Sequence, residues 1–138
     1  MDQNIRLSLL MARQGLCSRR EADKLISSGN VLVNGEVIDK LGSRVSANSS
    51  IKLSSKIISE QDSLVTILLN KPPGFVSDIS DKNYPEALDL IKSVNRADRA
   101  PYIKKPIPNL ESLNVTGRLD IDSSGLLIFT QDGRIARK

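Results

Sequence analysis

The first stretch of apolar and polar positions predicts two short helices joined by a tight turn. Apolar residues recur at helical spacing from position 4 to 14 and again beyond position 18. Ser18 followed three residues later by Glu21 is a capping box, which starts the second helix. Gly15 and Gly29 end the two helices. The predicted buried faces consist of Ile5, Leu9 and Ala12, and of Ala22, Leu25 and Ile26.

A β-hairpin is predicted directly after the second helix. Asn34 and Gly35 separate two short apolar runs, and both central positions of a two-residue turn need the positive φ that asparagine and glycine tolerate. Further β-like fragments around Val45 and at Ile51 to Leu53 complete a small helix-helix-sheet unit.

The rest of the chain predicts a second domain. A polar run from Ser59 to Ser63 indicates the boundary, so we expect domains at 1–60 and 61–138. Leu64 to Leu69 is a nearly continuous apolar run before a Pro-Pro-Gly turn and predicts a buried strand. Leu126 to Thr130 predicts another strand.

Between these strands, Tyr84-Pro85-Glu86 predicts the start of a helix. The buried face of that helix would consist of Ala87, Ile91 and Val94. Residues 95–112 are basic and carry three prolines, which is typical of an irregular loop.

The segment from Arg134 to Lys138 predicts the first turn of a helix without a stop. The last strand lies so near the end that we expect it to be short of partners, with its edge unprotected. The expected fold class is therefore α+β: a small helix-helix-β-hairpin domain followed by an incomplete mixed α/β domain.

Composition narrows the possible chemistry. The 138 residues carry 20 Lys and Arg against 16 Asp and Glu, with a pI near 9.4, which suits a polyanionic partner. Nine of the basic and six of the acidic residues lie in 1–60, so the first domain is the expected nucleic-acid anchor. Aromatic residues make up 3% of the chain, so the contact is expected to be electrostatic and not a stacking platform.

Several classes of site are excluded by the residues that the sequence lacks. Cys17 is the single cysteine and histidine is absent, which removes disulfides, the usual zinc sets and Ser-His or Cys-His catalysis. Catalysis would have to use carboxylates, lysines or tyrosines. No leader pattern and no apolar run near the ~20 residues of a membrane span is present, so we expect a cytoplasmic protein without membrane contact.

The strongest chemical signal is GRLDIDSSGLLIFTQDG, at 117–133. Asp120 and Asp122 would share one face of an extended backbone, with Arg118 available as a counter-charge. DIDSSG also matches the start of a calcium loop, but the glutamate needed at position 12 is Gln131, so no metal is expected. Aspartates are also common turn formers, and that interpretation is favoured for Asp122.

The pattern SRREADKLISSGNVLVNG, within residues 4–53, resembles the small RNA-binding domain named after ribosomal small-subunit protein four, the alpha-L motif. An ordinary solvated surface is the alternative for its cations. Asp23 stands at helical spacing from Arg19, so Arg20 and Lys24 are expected to be the freer cations. The resemblance implies contact with structured RNA by Arg6, Arg13, Ser18, Arg19, Arg20, Lys24 and Asn34.

Residues 64–138 resemble the ribosomal RNA pseudouridine synthases that carry an alpha-L domain at their N-terminus. The matching pieces are LLNKPPGFVS and GRLDIDSSGLLIFTQDG, in the family's order. The resemblance implies a pseudouridine synthase catalytic domain in which Asp120 is the nucleophile, attacking the anomeric carbon or carbon 6 of a flipped uracil without cofactor or metal. Arg118 would be an orienting ion pair or an RNA contact, and Lys71 a weaker RNA contact.

The resemblance also implies the partner, which is ribosomal RNA or a ribosome assembly intermediate, and we expect a monomer. The family needs a tyrosine and a further basic residue from motifs beyond Gly-Arg-Leu-Asp, and nothing in these residues matches them. Isomerisation is therefore expected of a longer protein, of which this chain is the N-terminal portion. The alternative is a noncatalytic RNA-binding protein that uses the N-terminal domain.

Overall fold

The computed structural model describes residues 4–78, 83–97 and 105–136, which form two compact units. The first unit ends at Ser63 and the second begins at Leu64. Helices and sheets are mixed in both, which confirms the expected α+β class. Within the described residues, no helix is long and apolar enough to cross a membrane.

The first unit packs three helices against two small sheets. Strand β1 pairs with β4, and β2 lies between β3 and β5, all antiparallel. The elements are β1 (Asn4–Arg6), α1 (Leu7–Arg13), α2 (Arg19–Ser27), β2 (Val31–Val33), β3 (Glu36–Val37), β4 (Arg44–Ser46), β5 (Ile51–Leu53) and α3 (Ser55–Ser63).

The local signals for α2 and the hairpin are confirmed. Ser18 Oγ accepts from Glu21 N at 3.2 Å and Glu21 Oε2 accepts from Ser18 N at 3.4 Å, which completes the capping box. Asn34 and Gly35 have φ of 50° and 89° in the turn between β2 and β3. Ala22, Leu25 and Ile26 are buried as predicted.

The prediction for the first helix was partly wrong. Residues 4–6 form β1, because their backbone pairs with β4 some 40 residues away and Leu7 N donates to Ser43 O at 2.9 Å. The buried face of α1 carries Leu7, Leu10 and Met11 in place of the predicted set. The polar run at 59–63, which was expected to mark the domain boundary, forms the end of α3, whose Ile57 joins the core.

The second unit contains a three-stranded antiparallel sheet. Its strands are β6 (Thr66–Lys71), β7 (Asn114–Thr116) and β8 (Gly125–Thr130), in the order β6-β8-β7. The expectation that the last strand is short of partners was wrong. Strand β8 pairs with β6 on one side and with β7, which the sequence did not predict, on the other. A short helix, α4 (Gly133–Ala136), follows β8.

The helix predicted from Tyr84 was wrong as well. Two 3₁₀ turns, Ala87–Leu90 and Ser93–Asn95, take its place. Val76 N donates to Pro85 O and Ala87 N to Val76 O, so a strand-like pairing uses the backbone groups where the helix would begin. Val94 is 85% exposed, whereas the other two residues of the predicted face are buried. Of the basic loop at 95–112, residues 98–104 lie outside the described part.

Candidate active site

The loop between β7 and β8 carries the candidate nucleophile. It leaves β7 at Gly117, with φ of 73°, and enters β8 at Gly125, with φ of 147°. Ser123 N donates to Asp120 O at 3.0 Å, so residues 120–123 form a β-turn. The prediction that Asp120 and Asp122 share a face of an extended backbone was therefore wrong, since Asp122 is the third residue of this turn.

Lys71, at the end of β6, hydrogen-bonds the backbone of this loop. Its side chain is fully buried, and Nζ donates to Ile121 O at 3.2 Å, to Ser123 O at 2.7 Å and to Pro72 O at 3.0 Å. All three protons of the ammonium group thus have a backbone acceptor. Among the described residues, no carboxylate forms an ion pair with Lys71, so carbonyl dipoles offset its charge.

The burial of Lys71 corrects its expected role. A side chain with no exposed surface and three internal hydrogen bonds cannot reach an RNA phosphate in this conformation. The Lys-Pro-Pro-Gly segment instead supports the loop, because Gly74 N also donates to Ile121 O, at 2.7 Å. Gly74 has φ of 93°, which explains the need for glycine at the end of this turn.

Ser77 holds the residue before the candidate nucleophile. Its Oγ accepts from Leu119 N at 2.9 Å and donates to Leu119 O at 2.7 Å. Ser77 is 6% exposed, so these bonds are shielded from water. Nothing in the sequence motif identified this contact, which joins residues 42 positions apart.

The side chain of Asp120, in contrast to the backbone of its loop, makes no hydrogen bond within the described residues. Asp120 is exposed, and its side chain has no hydrogen bond or ion pair with any other residue that the structure describes. Arg118 is also exposed, and no ion pair joins it to Asp120. The arrangement presents a carboxylate to solvent from a backbone that is hydrogen-bonded on both sides, which suits a nucleophile that must meet a large substrate.

One strong ion pair follows β8. Arg134 donates to both carboxylate oxygens of Asp132, with Nη2 at 2.6 Å from Oδ2 and Nε at 2.9 Å from Oδ1. The hydrogen bond from the Arg134 side chain lowers the pKa of Asp132 below its ordinary value, and burial opposes that shift only in part. Asp132 Oδ1 also accepts from Arg134 N at 2.9 Å and so caps α4.

The predicted RNA contacts of the first unit fall into two groups. A surface depression of about 480 Å³ is lined by Ser18, Arg19, Arg20 and Asp23. A second, of about 330 Å³, includes Arg6 and shares Asp23 with the first. Asp23 therefore connects these two surfaces, and no ion pair joins it to Arg19 in the described residues, contrary to expectation.

The other predicted contacts are not among the residues that line these depressions. Arg13, Lys24 and Asn34 are exposed. Asn34 also has a structural role, since its Oδ1 accepts from Ser50 N at 2.9 Å and connects the hairpin turn to the segment before β5. Among the described residues, no group of three or more acidic, cysteine or histidine side chains is placed to hold a metal ion.

Comparison with known families identifies both units. The S4 domain model matches residues 5–51, and the RNA pseudouridylate synthase model matches residues 65–138. The chain belongs to the RNA pseudouridylate synthase family and carries an S4 domain before the synthase unit. Both resemblances drawn from the sequence are thereby confirmed.

Relatives of similar sequence are named RNA pseudouridine synthases as well. The chain is 36% identical over 136 residues to an uncharacterized RNA pseudouridine synthase of Mycobacterium leprae, covering 97% of this chain and 48% of the relative. It is 35% identical over 139 residues to the dual-specificity RNA pseudouridine synthase RluF of Salmonella typhi, covering 99% and 42%. A solved structure of a pseudouridylate synthase matches at 24% identity with a TM-score of 0.39, covering 96% and 51%. The chain thus spans about half the length, or less, of the curated relatives it matches.

Proposed function

We propose that the protein isomerises a specific uridine of ribosomal RNA to pseudouridine, with Asp120 as the nucleophile. The observation that carries this proposal is the exposed carboxylate of Asp120, which has no partner among the described residues, on a loop whose backbone is held by Lys71, Gly74 and Ser77. Membership of the RNA pseudouridylate synthase family supports the reaction class.

The chemistry requires one carboxylate and no change of redox state. Asp120 attacks the anomeric carbon or carbon 6 of the flipped uracil, and the bond between the anomeric carbon and N1 breaks. The base rotates while it is held, and the anomeric carbon then bonds to carbon 5. The bond between Asp120 and the attacked carbon breaks, and its electron pair returns to the carboxylate. Carbon 5 loses its proton and N1 gains one, so atoms and electrons balance without a cofactor or metal.

The first unit would supply the RNA anchor. The S4 match supports this role, and the exposed arginines beside the two depressions suit a phosphate backbone. Flipping a base costs a few kcal/mol of stacking, which these phosphate contacts offset. The proposed contacts are Arg6, Arg13, Ser18, Arg19, Arg20, Lys24 and Asn34, with Arg118 as a contact near the reacting base.

We propose a monomer that acts in the cytoplasm on ribosomal RNA or on a ribosome assembly intermediate. The names of the relatives, which are RNA pseudouridine synthases, support RNA as the partner.

The test is tritium release from ribosomal RNA labelled at carbon 5 of uridine, with RNA binding measured in parallel on the full-length protein. Asp120→Ala should abolish release and leave RNA affinity nearly unchanged. Asp122→Ala is the matched control, because it removes an exposed carboxylate two residues away in the same loop, and it should still release tritium. Release by Asp120→Ala would overturn the nucleophile assignment. Binding without release by the wild-type protein would favour the noncatalytic RNA-binding alternative.

A further inference from the structure

The side chain of Ser77 hydrogen-bonds both backbone groups of Leu119. Leu119 N belongs to the peptide unit before Leu119, and Leu119 O belongs to the unit that joins Leu119 to Asp120. A single hydroxyl can donate once and accept twice, so both bonds, at 2.7 and 2.9 Å, can exist together. Ser77 therefore fixes two successive peptide planes.

The second of these planes leads directly to Asp120. The plane after Asp120 is fixed independently, because Asp120 O accepts from Ser123 N at 3.0 Å. With both flanking planes held, the direction of the Asp120 carboxylate depends on its own side-chain torsions alone. Without Ser77, the plane before Asp120 would lose its hydrogen bond to the rest of the second unit.

Ser77 is itself well anchored. The preceding residue, Val76, is bonded on both sides, since Val76 N donates to Pro85 O at 2.9 Å and Val76 O accepts from Ala87 N at 2.8 Å. Ala87 is fully buried in the core of the second unit. Hydrogen bonds thus connect this core to Val76, and the next residue, Ser77, is hydrogen-bonded to Leu119, the residue before Asp120.

We propose that Ser77 is a positioning residue, which aims the Asp120 carboxylate at the reacting carbon through Leu119. This proposal rests on the proposed function of Asp120. Ser77 does not touch the substrate in this role, so its loss should slow the chemical step and leave RNA binding intact. A misplacement of about 1 Å in a catalytic group can lower a rate by about 100-fold.

The experiment measures single-turnover tritium release by the full-length protein at saturating enzyme, together with RNA affinity and the folded fraction. We expect Ser77→Ala to lower the rate per folded molecule by at least about 10-fold while RNA affinity changes by less than about twofold. Ser77→Thr keeps the hydroxyl and should restore most of the rate. Amide hydrogen exchange of residues 118–123 should be faster in Ser77→Ala. If Ser77→Ala does not fold, Ser77→Cys, which keeps the volume with weaker hydrogen bonds, takes its place.

Thr130→Val is the matched control. It removes another buried hydroxyl of the second unit, one that bonds Thr66 Oγ1 at 2.8 Å and Asp132 N at 3.0 Å. Among the residues that the structure describes, this hydroxyl has no hydrogen bond to the loop. It should lower stability and leave the rate per folded molecule unchanged. An unchanged rate in Ser77→Ala, or an equal loss in both variants, would overturn the positioning role while the function of Asp120 stands. No release by the wild-type protein would instead overturn the proposed function and this inference with it.

Discussion

The ammonium group of Lys71 lies 2.7 Å from the carbonyl oxygen of Ser123, 52 residues further along the chain. The contact connects the end of β6 to the loop that carries Asp120. No carboxylate of the described part of the chain pairs with this buried lysine, and three carbonyl oxygens replace its water shell.

Lys71→Met should therefore destabilise the second unit. Methionine keeps most of the volume but removes the ammonium donor from three carbonyl groups, of which Ile121 O keeps its bond from Gly74 N. We expect the free energy of unfolding to fall by about 3 kcal/mol. Urea denaturation at neutral pH measures the loss. Lys92→Met, at an exposed position, makes the same charge change and should cost less than about 0.5 kcal/mol. An equal loss of unfolding free energy in the two variants would show that the buried ammonium group of Lys71 does not contribute to stability.

The proposed RNA contacts of the first unit lead to a prediction about binding. Arg20→Ala combined with Lys24→Ala should weaken RNA binding by the full-length protein and make the dependence of affinity on salt shallower, by about one unit of slope per lost phosphate contact. Titrations at several salt concentrations measure this slope. Lys52→Ala combined with Lys56→Ala removes the same charge from β5 and α3, outside the proposed contacts, and should change the slope less. A salt slope that Arg20 and Lys24 do not affect would remove them from the interface.

Local sequence signals predicted the parts of the fold that depend on neighbouring residues. The capping box of Ser18 and Glu21 and the Asn34-Gly35 turn are each complete within a few positions, so the sequence alone was sufficient. Residues 4–6 and the strand β7 were missed because their strand character comes from partners far along the chain.

The same distinction applies to the candidate site. The Gly-Arg-Leu-Asp motif predicted Asp120 as a site residue. Lys71 and Ser77, in contrast, hydrogen-bond the backbone of that loop from more than 40 residues away in the sequence. Periodicity contains no information on such contacts. The sequence predicted a weak RNA contact for Lys71 because nothing in its neighbouring residues indicates that carbonyl groups would surround it.

The hairpin turn gives a prediction about backbone strain. Gly35 has φ of 89°, and apart from Gly35 and its two chain neighbours no described residue has an atom within 4 Å of the position that a Cβ would take. Gly35→Ala should therefore cost about 1 kcal/mol through backbone strain and not through collision. Gly35→Asn is the matched control at the same position, because asparagine tolerates a positive φ, and it should cost less. Thermal or urea unfolding measures both, and equal costs would mean that the turn conformation is not the cause.

The ion pair of Asp132 and Arg134 predicts a pH dependence of stability. Because the pKa of Asp132 is lowered in the folded state, its contribution is present above the unfolded pKa of ~3.9 and is lost as the pH falls through the folded value. Asp132→Asn retains an acceptor that can cap α4 and removes the charge. The variant should be less stable than wild type at about pH 7, and the difference should shrink below about pH 4. Urea unfolding across this range measures it, with the exposed Asp89→Asn as the control. A difference that stays constant down to about pH 2 would show that the charge of Asp132 is not what stabilises the pair.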